Sequence, residues 1–159
     1  MNTADRSIAS VDTALRRRFR FREMLSDPHV LSGINVEDIS IENMLKRLNY
    51  KISVLYDREH VIGHAYFLKL RDDPSIEMLG AIFENSIIPL LQDYFYNDYE
   101  KIRLVLGDNI KEAEDEQFII ARDVDTAGLF GNTDFEFDDG MVYEINTATF
   151  DNIESYRSI

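Results

Sequence analysis

Cysteine is absent from the sequence. Disulfide stapling, zinc–thiolate sites, iron–sulfur clusters and a cysteine nucleophile are thereby excluded. No apolar run approaches the roughly 18 residues that a membrane-spanning helix needs, and no basic start leads into an apolar segment with a cleavage site, so the expected location is cytoplasmic, with no membrane partner. The self-contained catalytic signatures are missing as well: there is no G-x-x-x-x-G-K-[ST] phosphate loop, no H-E-x-x-H, no G-x-S-x-G and no glycine-rich dinucleotide turn. No metal site is expected, and these residues alone cannot cradle a triphosphate. Internal repeats and low-complexity segments are also lacking.

What is present is a 159-residue chain, 45% hydrophobic, with enough apolar material for one packed core. Its net charge of −13 is spread unevenly. Residues 1–23 carry six Arg against Asp5, Asp12 and Glu23, a balance of +3. Residues 24–107 balance to −5, and from Asp108 onward fourteen acidic residues face only Lys111, Arg122 and Arg157, giving −11. Neutralising DNA phosphates needs clustered Lys and Arg, so the whole chain is not suited to nonspecific duplex binding; only its first segment could meet phosphate.

Phe19-Arg20-Phe21-Arg22 alternates with period two and suggests a short strand; Pro28 and Ser32-Gly33 then mark a linker. Ile41, Met44, Leu45, Leu48, Ile52 and Leu55 fall at helical spacing, with Asp38 or Ser40 available as N-cap. Leu79, Ile82, Phe83, Ile87, Leu90, Leu91, Tyr94 and Phe95 outline a long amphipathic helix, kinked near Pro89. Between the two, Val61–Leu68 reads as a turn entering a short helix, and Tyr99–Leu106 as a helix ended by Gly107. The acidic tract from Lys111 to Gln117 reads as a solvated linker. Strands are expected at Phe118–Ala121 and Met141–Ile145, then a terminal helical turn using Phe150, Ile153 and Tyr156.

The opening Met1-Asn2-Thr3-Ala4-Asp5-Arg6-Ser7 runs directly into Ile8–Phe19, as in a chain entered partway, and Ala14-Leu15-Arg16-Arg17-Arg18-Phe19 follows in register with Asp12. This pairing closely resembles the end of the AAA+ core in the McrB family of nucleoside triphosphatases, the motors of modification-dependent restriction systems. Ile62-Gly63-His64-Ala65-Tyr66-Phe67 is similar to a turn of that family's helical lid, and Ile88–Phe95 to the lid helix after it. The resemblance covers roughly residues 1–107.

The resemblance implies that 1–34 is the end of a AAA+ core, with a sensor-1 and arginine-finger segment, and 35–107 a helical lid; residues 108–159, which it does not reach, read from their own pattern as a small acidic β/α appendage, so the expected fold is α+β, mainly α. It implies that Asn2 holds the attacking water, that Asp12 assists as an acceptor, and that Arg17 or Arg18 reaches the triphosphate of a neighbouring subunit. Gly63 and His64 join Asn2 in contacting nucleotide. The chemistry suits those residue types, because phosphoanhydride hydrolysis needs a water held in line and preorganised positive charge on the phosphoryl oxygens, and the planar Arg fork matches such oxygens better than Lys.

The implied substrate is GTP or ATP with Mg²⁺, none of it tightly held by these residues alone, since the family's phosphate loop and acidic Mg²⁺-positioning segment belong upstream of the sensor-1 strand. The implied partners are further subunits in a homo-oligomeric ring, expected to be a hexamer, and a McrC-type nuclease, with DNA contacted by the intact complex. Each residue also has a plainer reading: Arg16–Arg18 as a solvated basic turn, Asn2 and Asp5 as helix caps, Asp12 as a surface acid, His64 as a helix-start histidine, and Tyr94, Phe95, Tyr96 and Tyr99 as lid packing. Two other functions compete with the motor: a stand-alone, non-catalytic module that docks on an intact AAA+ ring, and an acidic DNA mimic suggested by the −11 segment.

Overall fold

The computed structural model describes residues 26–57, 60–131, 133–134 and 140–159. Over these residues the protein is mainly helical, with two small antiparallel hairpins. A 3-10 turn, Pro28–Leu31, leads to β1 (Asn35–Val36) and β2 (Ile39–Ser40), then to α1 (Ile41–Leu55). After an extended turn comes a 3-10 helix, His64–Arg71. A long helix follows in three parts: α2 (Ile76–Ile82), a π turn (Phe83–Ile87) and α3 (Ile88–Tyr94). The chain continues through α4 (Tyr99–Leu106), 3-10 turns at Asp108–Ile110 and Glu114–Glu116, β3 (Ile119–Asp123), α5 (Thr126–Phe130), β4 (Met141–Ile145), a 3-10 turn at Thr147–Asp151 and α6 (Glu154–Arg157).

The helices form where the apolar spacing points. In α1, Ile41, Met44, Leu45, Leu48 and Ile52 are buried on one face. Each such side chain contributes about 2 kcal/mol when removed from water. Of the two candidate caps, Ser40 takes the role and accepts from the Asn43 N–H, while Glu42 in the first turn pairs with Lys46 one turn on. Asp38 instead pairs with Arg157.

The expected helix from Leu79 begins earlier, at Ile76, where Ser75 accepts from the Met78 N–H. The kink expected near Pro89 is a π turn: the Ile88 N–H reaches back five residues to the Phe83 carbonyl. Pro89 has no N–H to offer the Asn85 carbonyl, and the wider turn accommodates that gap immediately before the proline. Gly107 closes α4 with φ 76°, a left-handed C-cap that glycine adopts without penalty.

The acidic tract expected as a solvated linker is solvated only in its middle. Its ends, Lys111 and Gln117, are buried. The Lys111 ammonium meets the buried Asp108 carboxylate at 2.7 Å, and that carboxylate also accepts from the Phe118 and Ile119 N–H groups at 3.0 and 2.9 Å. Burial pushes the lysine below its ordinary pKa, with Asp108 acting in the opposite direction. The strand expected from Phe118 runs Ile119–Asp123 and pairs with the whole of Met141–Ile145.

The described residues of 118–159 share one core with the helices. Phe83, at the head of the π turn, stacks on Phe118 at 5.4 Å, and Tyr156 stands edge-on to both at 5.0 and 5.1 Å. The Tyr156 hydroxyl donates to the Phe150 carbonyl at 2.7 Å. Lys51 on α1 donates to the Val105 and Ser158 carbonyls, tying α1 to the end of α4 and to the last helical turn. Of the four aromatics expected in lid packing, Tyr94 and Phe95 are buried and Tyr99 is partly buried against Tyr143; Tyr96 lies 81% exposed in a turn at φ 53°.

α2 meets the Thr147–Asp151 turn so closely that a Cβ at Gly80 would stand 2.6 Å from the Phe150 carbonyl oxygen. Gly80→Ala should therefore destabilise the chain by roughly 1–3 kcal/mol, an overpacking cost that outweighs alanine's helix propensity. Urea unfolding checks it. Asp98 caps α4 by accepting from the Lys101 N–H and pairs with the Lys101 ammonium at 2.7 Å. Burial raises its pKa, but the lysine's hydrogen bonds and charge outweigh that and leave it below the ordinary 3.8. A carboxyl depressed in the folded state stabilises above its unfolded pKa, and that contribution is lost as pH falls through the folded value. Asp98→Asn keeps a capping oxygen without the charge and should flatten the loss of melting temperature below about pH 4.

Candidate functional site

Of the residues singled out from the sequence, Gly63 and His64 fall among the described residues; Asn2, Asp12, Arg17 and Arg18 lie outside them. Gly63 and His64 open the 3-10 helix after the extended turn that follows α1. His60 begins this turn. Its ring nitrogen Nδ1 lies 2.7 Å from the Asp57 carboxylate, which also accepts its backbone N–H at 2.9 Å. The imidazole stands edge-on between Tyr56 and Tyr94, with centroids at 4.4 and 5.0 Å. The Tyr94 hydroxyl donates to the Val61 carbonyl at 3.4 Å.

Ile62 is fully buried, in a segment without helix or strand pairing. Its backbone is satisfied by side chains instead. The Ile62 N–H donates to Asn49 Oδ1 at 2.7 Å, and its carbonyl accepts from Asn49 Nδ2 at 3.0 Å and from the Ser26 hydroxyl at 2.8 Å. His64 Nδ1 accepts from the Asp27 N–H at 3.1 Å. In the neutral ring this acceptor role places the proton on Nε2, leaving that edge as a donor.

The site thus joins two stretches far apart in sequence: Ser26–Asp27, directly after the arginine-rich segment, and the Ile62–His64 turn of the helical bundle. Asn49 escaped the sequence reading, because a polar residue beside an apolar helical stripe is ordinarily solvent-facing; nothing at the level of spacing marks it as a backbone clamp. A second clamp is remote from this turn: Arg71 donates to the Val30 carbonyl at 3.1 Å and fastens the 3-10 turn that follows Asp27.

Beside the turn, between the His64–Arg71 helix and the π turn, lies a cleft of about 410 Å³ lined by Ala65, Tyr66, Lys69, Met78, Ala81, Ile82, Asn85 and Ser86. Among the described residues, no three His, Asp or Glu side chains are grouped to hold a metal ion. No helix of the described residues is long and apolar enough to cross a membrane.

Gly63 has φ −72° and ψ 143°, an extended conformation open to any residue, and a Cβ there would meet open space. Neither backbone nor packing calls for glycine. Gly63→Ala should be neutral or should stabilise the chain by up to about 1 kcal/mol through the unfolded state. A fall in the urea midpoint would show a packing role at this position.

Comparison with known proteins gives a consistent picture. Residues 40–103 match the alpha-helical lid domain of McrB. The chain is 34% identical over 113 residues to the type IV methyl-directed restriction enzyme EcoKMcrB subunit of Escherichia coli strain K12. That match takes in 62% of this chain and 25% of the relative, so the chain spans about a quarter of the length of the curated protein it matches. The matched domain contains α1, the Ile62–His64 turn and the whole of the broken helix. Over residues 40–103 the chain is therefore similar to the α-helical lid domain of McrB.

Proposed function

We propose that this chain is the C-terminal portion of a McrB-type AAA+ nucleoside triphosphatase, a motor subunit that couples hydrolysis of GTP or ATP to DNA translocation and restriction with a McrC-type nuclease. The observation that carries the reading is the McrB lid domain with its Gly63–His64 turn hydrogen-bonded to Ser26–Asp27, just after the arginine-rich segment. A lid placed against the last residues of a AAA+ core is positioned to respond to nucleotide. Gly63 keeps the turn bare where the fold itself does not call for glycine, which suits close approach of a ligand.

In this reading residues 1–34 end the core. Asn2 orients the attacking water, Asp12 assists it as an acceptor, and Arg17 or Arg18 stabilises charge on the phosphoryl oxygens bound by the neighbouring subunit, so turnover needs an assembled ring, a hexamer in the intact protein. His64, with Nδ1 committed to the Asp27 N–H, offers Nε2–H to a nucleotide oxygen. Phosphate and Mg²⁺ are held by the upstream core. The substrate DNA follows the relative's description as a methyl-directed restriction enzyme.

The test is a chimera in which this chain replaces the matched quarter of the E. coli McrB subunit. It should hydrolyse GTP or ATP, and Arg17→Ala or Arg18→Ala, whichever is the finger, should lower the rate by about 10³-fold or more, the range of arginine-finger losses. A chimera that assembles but turns over neither nucleotide, or equal rates for both variants and the parent, would overturn the assignment. Calorimetric titration of the isolated chain with either nucleotide should give no tight binding.

A further inference from the structure

We propose that Asn49 is a positioning residue that sets the Gly63–His64 turn and the incoming Ser26–Asp27 strap relative to each other. The geometry singles it out. A fully buried peptide outside helix or sheet is costly unless both of its polar groups find partners. At Ile62 one side chain satisfies both: Asn49 Oδ1 takes the N–H at 2.7 Å and Nδ2 gives to the carbonyl at 3.0 Å. Only a carboxamide presents a donor and an acceptor side by side in one plane, as a peptide does. Asp has the acceptors without the donor, and Ala has neither.

The same Nδ2 is also 3.4 Å from the Ser26 hydroxyl oxygen, and that hydroxyl donates to the same Ile62 carbonyl at 2.8 Å. The strap and the turn therefore meet on one amide. Asn49 itself is fixed, because it sits on α1 between Leu48 and Ile52, both fully buried. The next link outward is the Asp27 N–H on His64 Nδ1, which follows from the first pair being in register. Asn49 is thus the point on the helix that contacts both partners, and it holds in register the two bonds that join them directly, Ser26 hydroxyl to Ile62 carbonyl and Asp27 N–H to His64 Nδ1. The consequence for nucleotide rests on the proposed function; the coupling does not.

The experiment is site-resolved amide exchange on the whole purified chain, without nucleotide, for the parent, Asn49→Asp, Asn49→Ala and Ser26→Ala, with the Ile52 and Leu106 amides reporting global opening. Asn49→Asp keeps the acceptor for the Ile62 N–H but loses both donor contacts. It should leave Ile62 exchange within about twofold and speed Asp27 exchange by about fivefold or more, the size expected for one lost hydrogen bond. Ser26→Ala should do the same to Asp27, and Asn49→Ala should release both amides while Ile52 and Leu106 keep their protection. Unchanged Asp27 exchange in Asn49→Asp, or equal acceleration at all four amides, overturns the proposal. If Asn49→Ala does not fold, Asn49→Asp and Ser26→Ala decide it. Since no nucleotide is added, failure of the motor assignment leaves this result standing, and the reverse holds for the chimera.

Discussion

A carboxylate removed from water survives in a protein interior only when donors replace the water it has lost, and Asp108 is such a carboxylate. Its oxygens receive the Lys111 ammonium and two consecutive backbone N–H groups, from Phe118 and Ile119. Removing one partner would leave a buried charge uncompensated, a penalty of several kcal/mol, so the arrangement behaves as a lock with one setting. It fixes where the chain leaves α4 and where it enters β3. Phe118 is thereby delivered onto Phe83, under the Lys111 ammonium that stands 4.3 Å above its ring.

The same constraint explains how a segment with a balance of −11 lives beside an apolar core. Its charges stay outside: Glu112, Glu114, Asp115, Asp123 and Asp125 are exposed, and Asp108 is the one acid of this segment that is fully buried among the described residues. The apolar remainder, Phe118, Ile119, Phe150, Tyr156 and Ile159, enters the cluster formed by α1, the broken helix and α4. What composition suggests is an appendage shares, in its described residues, the core of the helices.

At the candidate site the controlling problem is different. Residues His60 to Gly63 are half-buried apart from the fully buried Ile62, and among the described residues no strand lies beside them to take their hydrogen bonds. Side chains take them instead: Asn49 and Ser26 at Ile62, Tyr94 at Val61, Asp57 at His60. A turn held in this way keeps a defined position without becoming part of a rigid element. The π turn at Phe83–Ile87 serves a related end, because it lets a helix containing Pro89 continue to Tyr94, whose ring then reaches back to His60.

Local periodicity was sufficient to read α1, the broken helix and α4 from the sequence, since burial of one helical face is a short-range pattern; Ser40 and Gly107 were legible as possible ends, whereas the caps Ser75 and Asp98 emerged only from the structure. The strands at β3 and β4 were legible for the same reason, and Gly63 and His64 were legible through a motif. Asn2, Asp12, Arg17 and Arg18 rest on motif alone. The β1–β2 hairpin and α5 were not legible, being too short to carry a period. Nor were the burial of Lys111 and Gln117 and the role of Asn49, because each depends on a partner outside its own element: Asp108 for Lys111, Arg103 for Gln117, Ile62 for Asn49. The sequence by itself determined which long segments are helices and where Gly107 ends one of them. Tertiary structure decided that the acidic third joins the core of the helices and that one asparagine holds the turn, because a polar residue's value depends on the donor or acceptor it meets across the fold.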